Sequence, residues 1–189
     1  MPSLELKAEP LLGGFHAMFD GTELTEVTDL AILSLATPQG GDKALTDKLQ
    51  EAYGTAMPPP GGSTLSSDGK TRFLWMARDQ LFVIFEDDSA HVAADMVRTL
   101  DDRAYVTLQS DNWVALRLSG GKARQALERI CLLDLHPSAF PEGRVARTMM
   151  EHMGAIILHE ADDQFLLLSA ASTATSYLHA VQISLHNVT

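Results

Sequence analysis

The chain has 189 residues, 46% apolar and 21% charged, and carries 14 Lys and Arg against 25 Asp and Glu, a net charge of −11. That length fits one good core or two small ones. The acidic surplus repels phosphate backbones and anionic lipid, so nucleic acid and membrane surfaces are excluded as partners. No apolar run approaches the ~20 residues a membrane span needs. The start "MPSLELKAEP" lacks the basic, apolar and small-residue segments of a signal peptide. One cysteine forms no internal disulfide. Cytoplasmic residence is the expectation.

Residues 1–28 have little periodicity and read as a leading arm, packed as an extended strand. Residues 30–36, "LAILSLA", suit a strand. Residues 42–53, "DKALTDKLQEAY", suit a helix with Asp42 as N-cap, Leu45, Leu49 and Ala52 on one face, and Gly54 as its stop. "MPPPGGSTLSSDGK" (57–70) is a Pro/Gly/Ser loop. "RFLWMA" (72–77) and "QLFVIFE" (80–86) are strands joined by a polar turn. Residues 89–100 form an amphipathic helix with Val92, Ala93, Met96, Val97 and Leu100 inward.

The second half repeats this order. "AYVTLQ" and "WVALRLS" are strands, and 120–131 open a helix whose apolar stripe is Ala123, Ala126, Leu127, Ile130 and Cys131. Strands follow at 145–150, 154–160 and 164–170. A helix over 172–182 buries Ala174, Tyr177, Leu178 and Val181, and "VQISLH" closes as a short strand. Two local matches mark a duplication: "GGDKAL" (40–45) against "GGKARQAL" (120–127), and "ARDQLFVIF" (77–85) against "ADDQFLLLS" (161–169). The pattern predicts an α+β fold of two related lobes of strand-helix-strand-strand-helix type, mainly antiparallel sheets with helices on one face. The lobes are assigned to 29–104 and 105–189, packed as one unit behind the arm.

Candidate chemistry is sparse. Cys131, with Asp134 and His136 close behind, has the parts of a nucleophilic site, but the sulfur falls on an apolar helix stripe, where a neutral thiol fills core space. Asp134 and His136, spaced i, i+2, point the same way on extended backbone. They pair across a site, or Asp134 accepts backbone N–H groups while His136, fixed before Pro137, donates to a carbonyl. "HPSAFPEG" then forms a rigid turn with Phe140 as plug and Gly143 supplying positive φ. The seven histidines show no compact ligand spacing; His152 and His159 stand seven apart across a strand turn. "GGSTLSSDGKT" misses phosphate-loop spacing and runs into a strand instead of a helix. The acid pairs Asp87–Asp88, Asp101–Asp102 and Asp162–Asp163 fall at turns and helix starts, where carboxylates solvate or cap.

"LDLHPSAFPEGRVART" (133–148), preceded by "WVALRLSGGKARQALERIC", resembles the gamma subunit of heterotetrameric sarcosine oxidase. The shared framework is Cys131, Asp134, Leu135, His136, Pro137, Phe140, Gly143, Ala146, Arg147 and Thr148. The first half is also similar, departing at Arg78 and Leu81, where the family would carry Pro and Trp. The resemblance implies a non-catalytic structural subunit, with alpha, beta and delta subunits as partners. Their complex oxidises sarcosine to glycine and passes the one-carbon unit to tetrahydrofolate. It implies that FAD, FMN, NAD and the folate site belong to the other subunits, with no cofactor, metal or catalytic residue here. It also implies distant similarity to the folate-binding aminomethyltransferase-like superfamily. Asp134, His136, Phe140 and Arg147 are the candidates for a structural or partner-docking turn. Two readings stand beside it: a freestanding folate- or small-molecule-binding module, and a Cys/His-dependent enzyme centred on 131–147.

Overall fold

A computed structural model describes residues 9–86 and 91–189; the Asp87–Asp88 pair, residues 89–90 of the expected second helix and the first eight residues of the arm lie outside the described residues. In chain order the elements are β1 (His16–Phe19), β2 (Thr22–Glu26), β3 (Leu30–Ala36), α1 (Asp42–Tyr53), β4 (Ser63–Leu65), β5 (Arg72–Ala77), β6 (Gln80–Glu86) and α2 (Val92–Leu100). They continue as β7 (Tyr105–Leu108), β8 (Trp113–Ser119), α3 (Ala123–Ile130), β9 (Val145–Met150), β10 (Met153–Ala161), β11 (Gln164–Ala170) and α4 (Ala174–His186).

The strands form two antiparallel sheets, in the orders β1-β2-β8-β11-β10-β9 and β4-β5-β6-β3-β7. Side chains alternate along a strand, so each sheet has two faces to cover. One face of the first sheet carries Leu116, Leu118, Phe165 and Leu167 against Leu127, Tyr177 and Val181 of α3 and α4. One face of the second carries Leu33, Leu35, Phe73 and Val83 against Leu45, Leu49, Met96 and Leu100 of α1 and α2. The remaining faces meet each other, with Ile32, Leu74, Phe82 and Ile84 packed on Ile156, Leu158, Leu166 and Leu168. Helices therefore lie on one face of each sheet, as the α+β pattern predicts, and the sheets cover each other. This is why β6 and β11 are apolar at nearly every position.

The repeat is explicit in the topology. Around β3 and around β8 the order is the same, with β6, β5 and β4 matching β11, β10 and β9. Both hairpins bulge one residue before their turns, between Trp75 and Ala77 and between His159 and Ala161. The flanking strand is exchanged. β2, from the arm, pairs with β8, and β7, from the second segment, pairs with β3. Hydrogen bonding thus crosses both sequence-assigned boundaries, because the antiparallel edge open to each strand belongs to the other half's sheet.

Six local expectations are corrected: Ala52, expected on the buried face of α1, is exposed, the 57–70 loop contains the short strand β4, and four more follow. Gly41 caps α1, and Asp42 sits in its first turn, where the carboxylate meets the positive helix end; Gly54 does stop it, at φ 62°. Val97 of α2 is 37% exposed, at the margin of the inward stripe of Val92, Met96 and Leu100. α3 begins at Ala123, after the Gly120–Lys122 entry turn, and Cys131 is already extended (φ −112°, ψ 140°). "VQISLH" continues α4: Tyr177, Val181 and Leu185 extend one buried stripe, and Ser184 donates to the Ala126 carbonyl at 2.6 Å. Packing against α3 overrides the β-branched bias of that segment. Among the described residues no helix is long and apolar enough to cross a membrane.

Candidate functional site

The turn 131–144 runs from α3 to β9 and is held in two tiers. In the exposed tier, Asp134 Oδ1 accepts the His136 N–H at 2.9 Å, an Asx turn. His136 Nδ1 lies 2.8 Å from Ser138 Oγ and accepts the Ser138 N–H at 3.3 Å, so its ring proton is on Nε2. The sequence offered a carbonyl as the ring's partner; the ring engages Ser138 instead. The His136 carbonyl accepts the N–H groups of Ala139 and Phe140.

In the buried tier, Phe140 is 3% exposed and stacks at 6.5 Å on His159, itself buried in β10. The His159 ring also stacks at 4.8 Å on Phe165. His159 Nδ1 donates to the Phe140 carbonyl at 3.0 Å, leaving Nε2 to accept from Arg124 Nη2 at 3.4 Å. Arg124, on α3, lies 5.0 Å from the Phe165 ring and donates through Nη1 to the Leu135 carbonyl. A helix, a loop and a two-strand hairpin are joined through one imidazole and one guanidinium. Neither residue stood out in the sequence as a turn lock. His159 invited only a weak metal pairing with His152, which lies at positive φ in the β9–β10 turn.

Cys131 is buried, and its Sγ accepts the Leu133 N–H at 3.4 Å. Burial pushes its thiol pKa up. Its sulfur and the exposed His136 ring have different partners, so the spacing that suggested a nucleophile and base does not bring them together. Arg147 is exposed on β9, with its guanidinium 5.9 Å from the Phe82 ring of the facing sheet. Among the described residues no three His, Cys, Asp or Glu side chains gather as metal ligands.

The turn also docks the Pro/Gly loop of the other half. Gly143, at φ 79°, offers its carbonyl to Ser63 Oγ at 2.8 Å, and Val145 donates to Gly61 O at 3.0 Å. Arg144 Nη1 donates to Pro60 O at 3.3 Å. The Arg144 guanidinium lies so close over Gly61 that a Cβ there would stand 2.9 Å from its Cζ. Beyond this junction the isolated Cys131–Met150 bridge places Leu132 (84% exposed) beside Met149 (46% exposed).

The family model for "Sarcosine oxidase, gamma subunit family" matches residues 38–184. The chain belongs to that family. Among solved structures, a chain of heterotetrameric sarcosine oxidase from Corynebacterium sp. U-96 matches this chain with TM-score 0.76 and 23% identity, covering 91% of this chain and 87% of that one. The glycine cleavage system aminomethyltransferase T from Bartonella henselae matches with TM-score 0.64 and 13% identity, over 85% of this chain. The chain spans 45% of that aminomethyltransferase. At these identities the two likenesses show the fold alone. No curated protein matches by sequence.

Proposed function

We propose that this chain is a non-catalytic structural gamma subunit of a heterotetrameric sarcosine oxidase, assembling in the cytoplasm with alpha, beta and delta subunits. In this reading FAD, FMN, NAD and tetrahydrofolate are bound by those partners, and this chain supports the assembly that oxidises sarcosine to glycine. The family match over residues 38–184 carries the proposal. The site geometry supports it. Cys131 is buried with its Sγ taken by the Leu133 N–H, and Asp134 and His136 Nδ1 are engaged within the turn itself. Leu132 and Met149 leave an apolar step at the surface beside the turn, the kind of surface a partner covers.

Co-expression with candidate alpha, beta and delta subunits, followed by size exclusion and a sarcosine-dependent peroxide assay, tests this. The chain is expected to co-elute with the partners, and omitting it to lower the yield of assembled, active complex. Elution of the chain by itself, with full activity in the remaining subunits, refutes the proposal.

A further inference from the structure

At one end of the sheet-on-sheet interface a cleft of about 570 Å³ opens between the lobes, within the size range of small-molecule sites. Two arginines reach it from opposite sheets, Arg72 from β5 and Arg117 from β8. Arg72 is half-buried, and among the described residues its guanidinium makes a single side-chain hydrogen bond, from Nη1 to Ser63 Oγ at 3.1 Å. Burial lowers its pKa, and Glu160 and Glu142 oppose that only through space. Arg117 spends Nε on Glu160 Oε2 at 2.9 Å, leaving its two terminal nitrogens.

The acids around them are largely committed. Glu160 Oε2 also accepts from Gln164 Nε2 at 2.9 Å. Asp68 accepts from Ser66 Oγ at 2.6 Å and from the Lys70 N–H at 3.0 Å, which hold its carboxyl below the usual range. Glu86 stands exposed at the strand end. Lys70 stands at the mouth, and Leu30, Leu65 and Ile84 supply an apolar wall.

We infer that this cleft is a binding site for a small organic carboxylate, its two oxygens taken by Arg72 and Arg117 and its apolar body laid on Leu30, Leu65 and Ile84. Guanidinium N–H pairs match a carboxylate in shape and charge, and a partly desolvated one binds it more strongly than a surface arginine does. Lys70, Arg72 and Arg117 face Asp68, Glu86 and Glu160, so the lining carries no net charge and a second negative charge on the ligand adds repulsion with no surplus cation to meet it; a monocarboxylate is favoured over phosphate. This inference is independent of the subunit reading.

The test is titration of the full chain with benzoate at fixed ionic strength, followed by amide chemical shifts, with benzamide as neutral counterpart and inorganic phosphate as dianion. Benzoate is expected to give saturable shifts clustered at residues 68–72, 84, 117 and 160. Benzamide should bind at least roughly tenfold more weakly, as should benzoate to Arg72→Gln, the scale of a lost charge-assisted bond. If Arg72→Gln does not fold, Lys70→Glu, at an exposed turn, replaces it and is expected to weaken benzoate several-fold. Shifts that do not saturate, equal binding of benzamide, tighter binding of phosphate, or variants that bind as the parent overturn the inference. Binding by the free chain that disappears in the assembled complex also overturns it, assigning the cleft to a partner's carboxylate. The titration uses the chain alone, so failure to co-elute with other subunits leaves its result intact.

Discussion

Phe140→Ala is expected to cost about 3–5 kcal/mol of folding stability, the range for truncating a buried aromatic. The upper half of that range applies here for three reasons. The ring is 3% exposed within the main core cluster. Its loss uncovers one face of the His159 imidazole, which it stacks at 6.5 Å. Pro137 and Pro141 fix φ on both sides of it, so the turn cannot collapse into the void. Phe140→Leu, which keeps most of the volume, should cost about 1 kcal/mol. The exposed tier behaves differently: Asp134→Ala removes one solvent-accessible hydrogen bond and should cost about 0.5–1 kcal/mol, and His136→Ala less. For a chain of this size, Phe140→Ala should lower Tm by roughly 8–20 °C. Urea unfolding followed in parallel by far-ultraviolet circular dichroism and tryptophan fluorescence gives the differences directly. The two-tier account fails if Phe140→Ala shifts the midpoint no more than Asp134→Ala, or if Asp134→Ala costs more than about 2 kcal/mol.

Burial raises the pKa of both Cys131 and Tyr177; the folded chain then holds protons that the unfolded chain has released, so stability should fall as pH rises past the ordinary thiol and phenol values, about 8.5 and 10, and a urea midpoint that stays flat from pH 7 to 11 would contradict this. For the same reason Cys131 should react with a thiol reagent at pH 8 at least roughly 100-fold more slowly in the native chain than in denaturant, with stoichiometric native labelling within minutes as the contrary result. The Glu26 carboxylate accepts the N–H groups of Leu12, Gly14 and Phe15, so Glu26→Gln should speed hydrogen exchange at those amides without altering β10 or β11 amides; unchanged exchange at 12–15 would show that the carboxylate does not latch the arm. A Cβ at Gly120 would stand 2.7 Å from Gly21 O, at φ 122°, and Gly120→Ala should cost at least about 2 kcal/mol, read by urea denaturation, where a loss below about 0.5 kcal/mol would show that the β1–β2 hairpin gives way freely. Leu132→Asp should leave Tm within the range of an ordinary surface change, about 0.5 kcal/mol, yet abolish co-elution with partner subunits; intact assembly would remove this surface from the interface.

What the sequence showed well were elements whose burial has a regular period. The stripe of α3 and the runs "QLFVIF" and "QFLLLS" announce their class because helices cover one face and a sheet the other. The α1 terminus at Gly54 was legible because a left-handed residue there favours glycine. The errors come where local preference and tertiary packing disagree. "VQISLH" has a strand-like composition, yet Leu185 lies in line with Tyr177 and Val181 on one helix. The β2 segment "TELTE" seemed featureless because two of its inward residues, Thr22 and Glu26, are polar. Glu26 is satisfied inside by amides from a loop whose position no periodicity reports. The turn lock was half visible: Asp134 and His136 are neighbours in sequence, whereas Arg124 and His159, 35 positions apart, meet only after α3 and β10 have packed. The cleft of Arg72, Arg117 and Glu160 was invisible for the same reason, since its walls belong to different repeats.

The exchange of β2 and β7 between the halves also sets an order of events during synthesis. The β1–β2 hairpin leaves the ribosome long before β8 exists to receive it, and must wait with its edge unpaired. The first sheet cannot close until β11 and β10 have followed β8, so the earliest strands made are among the last to be enclosed. Cutting the chain after residue 104 would yield two fragments, each holding a strand that the other's sheet lacks. Neither fragment would complete its own sheet, but mixed together they should reassemble by trading those strands.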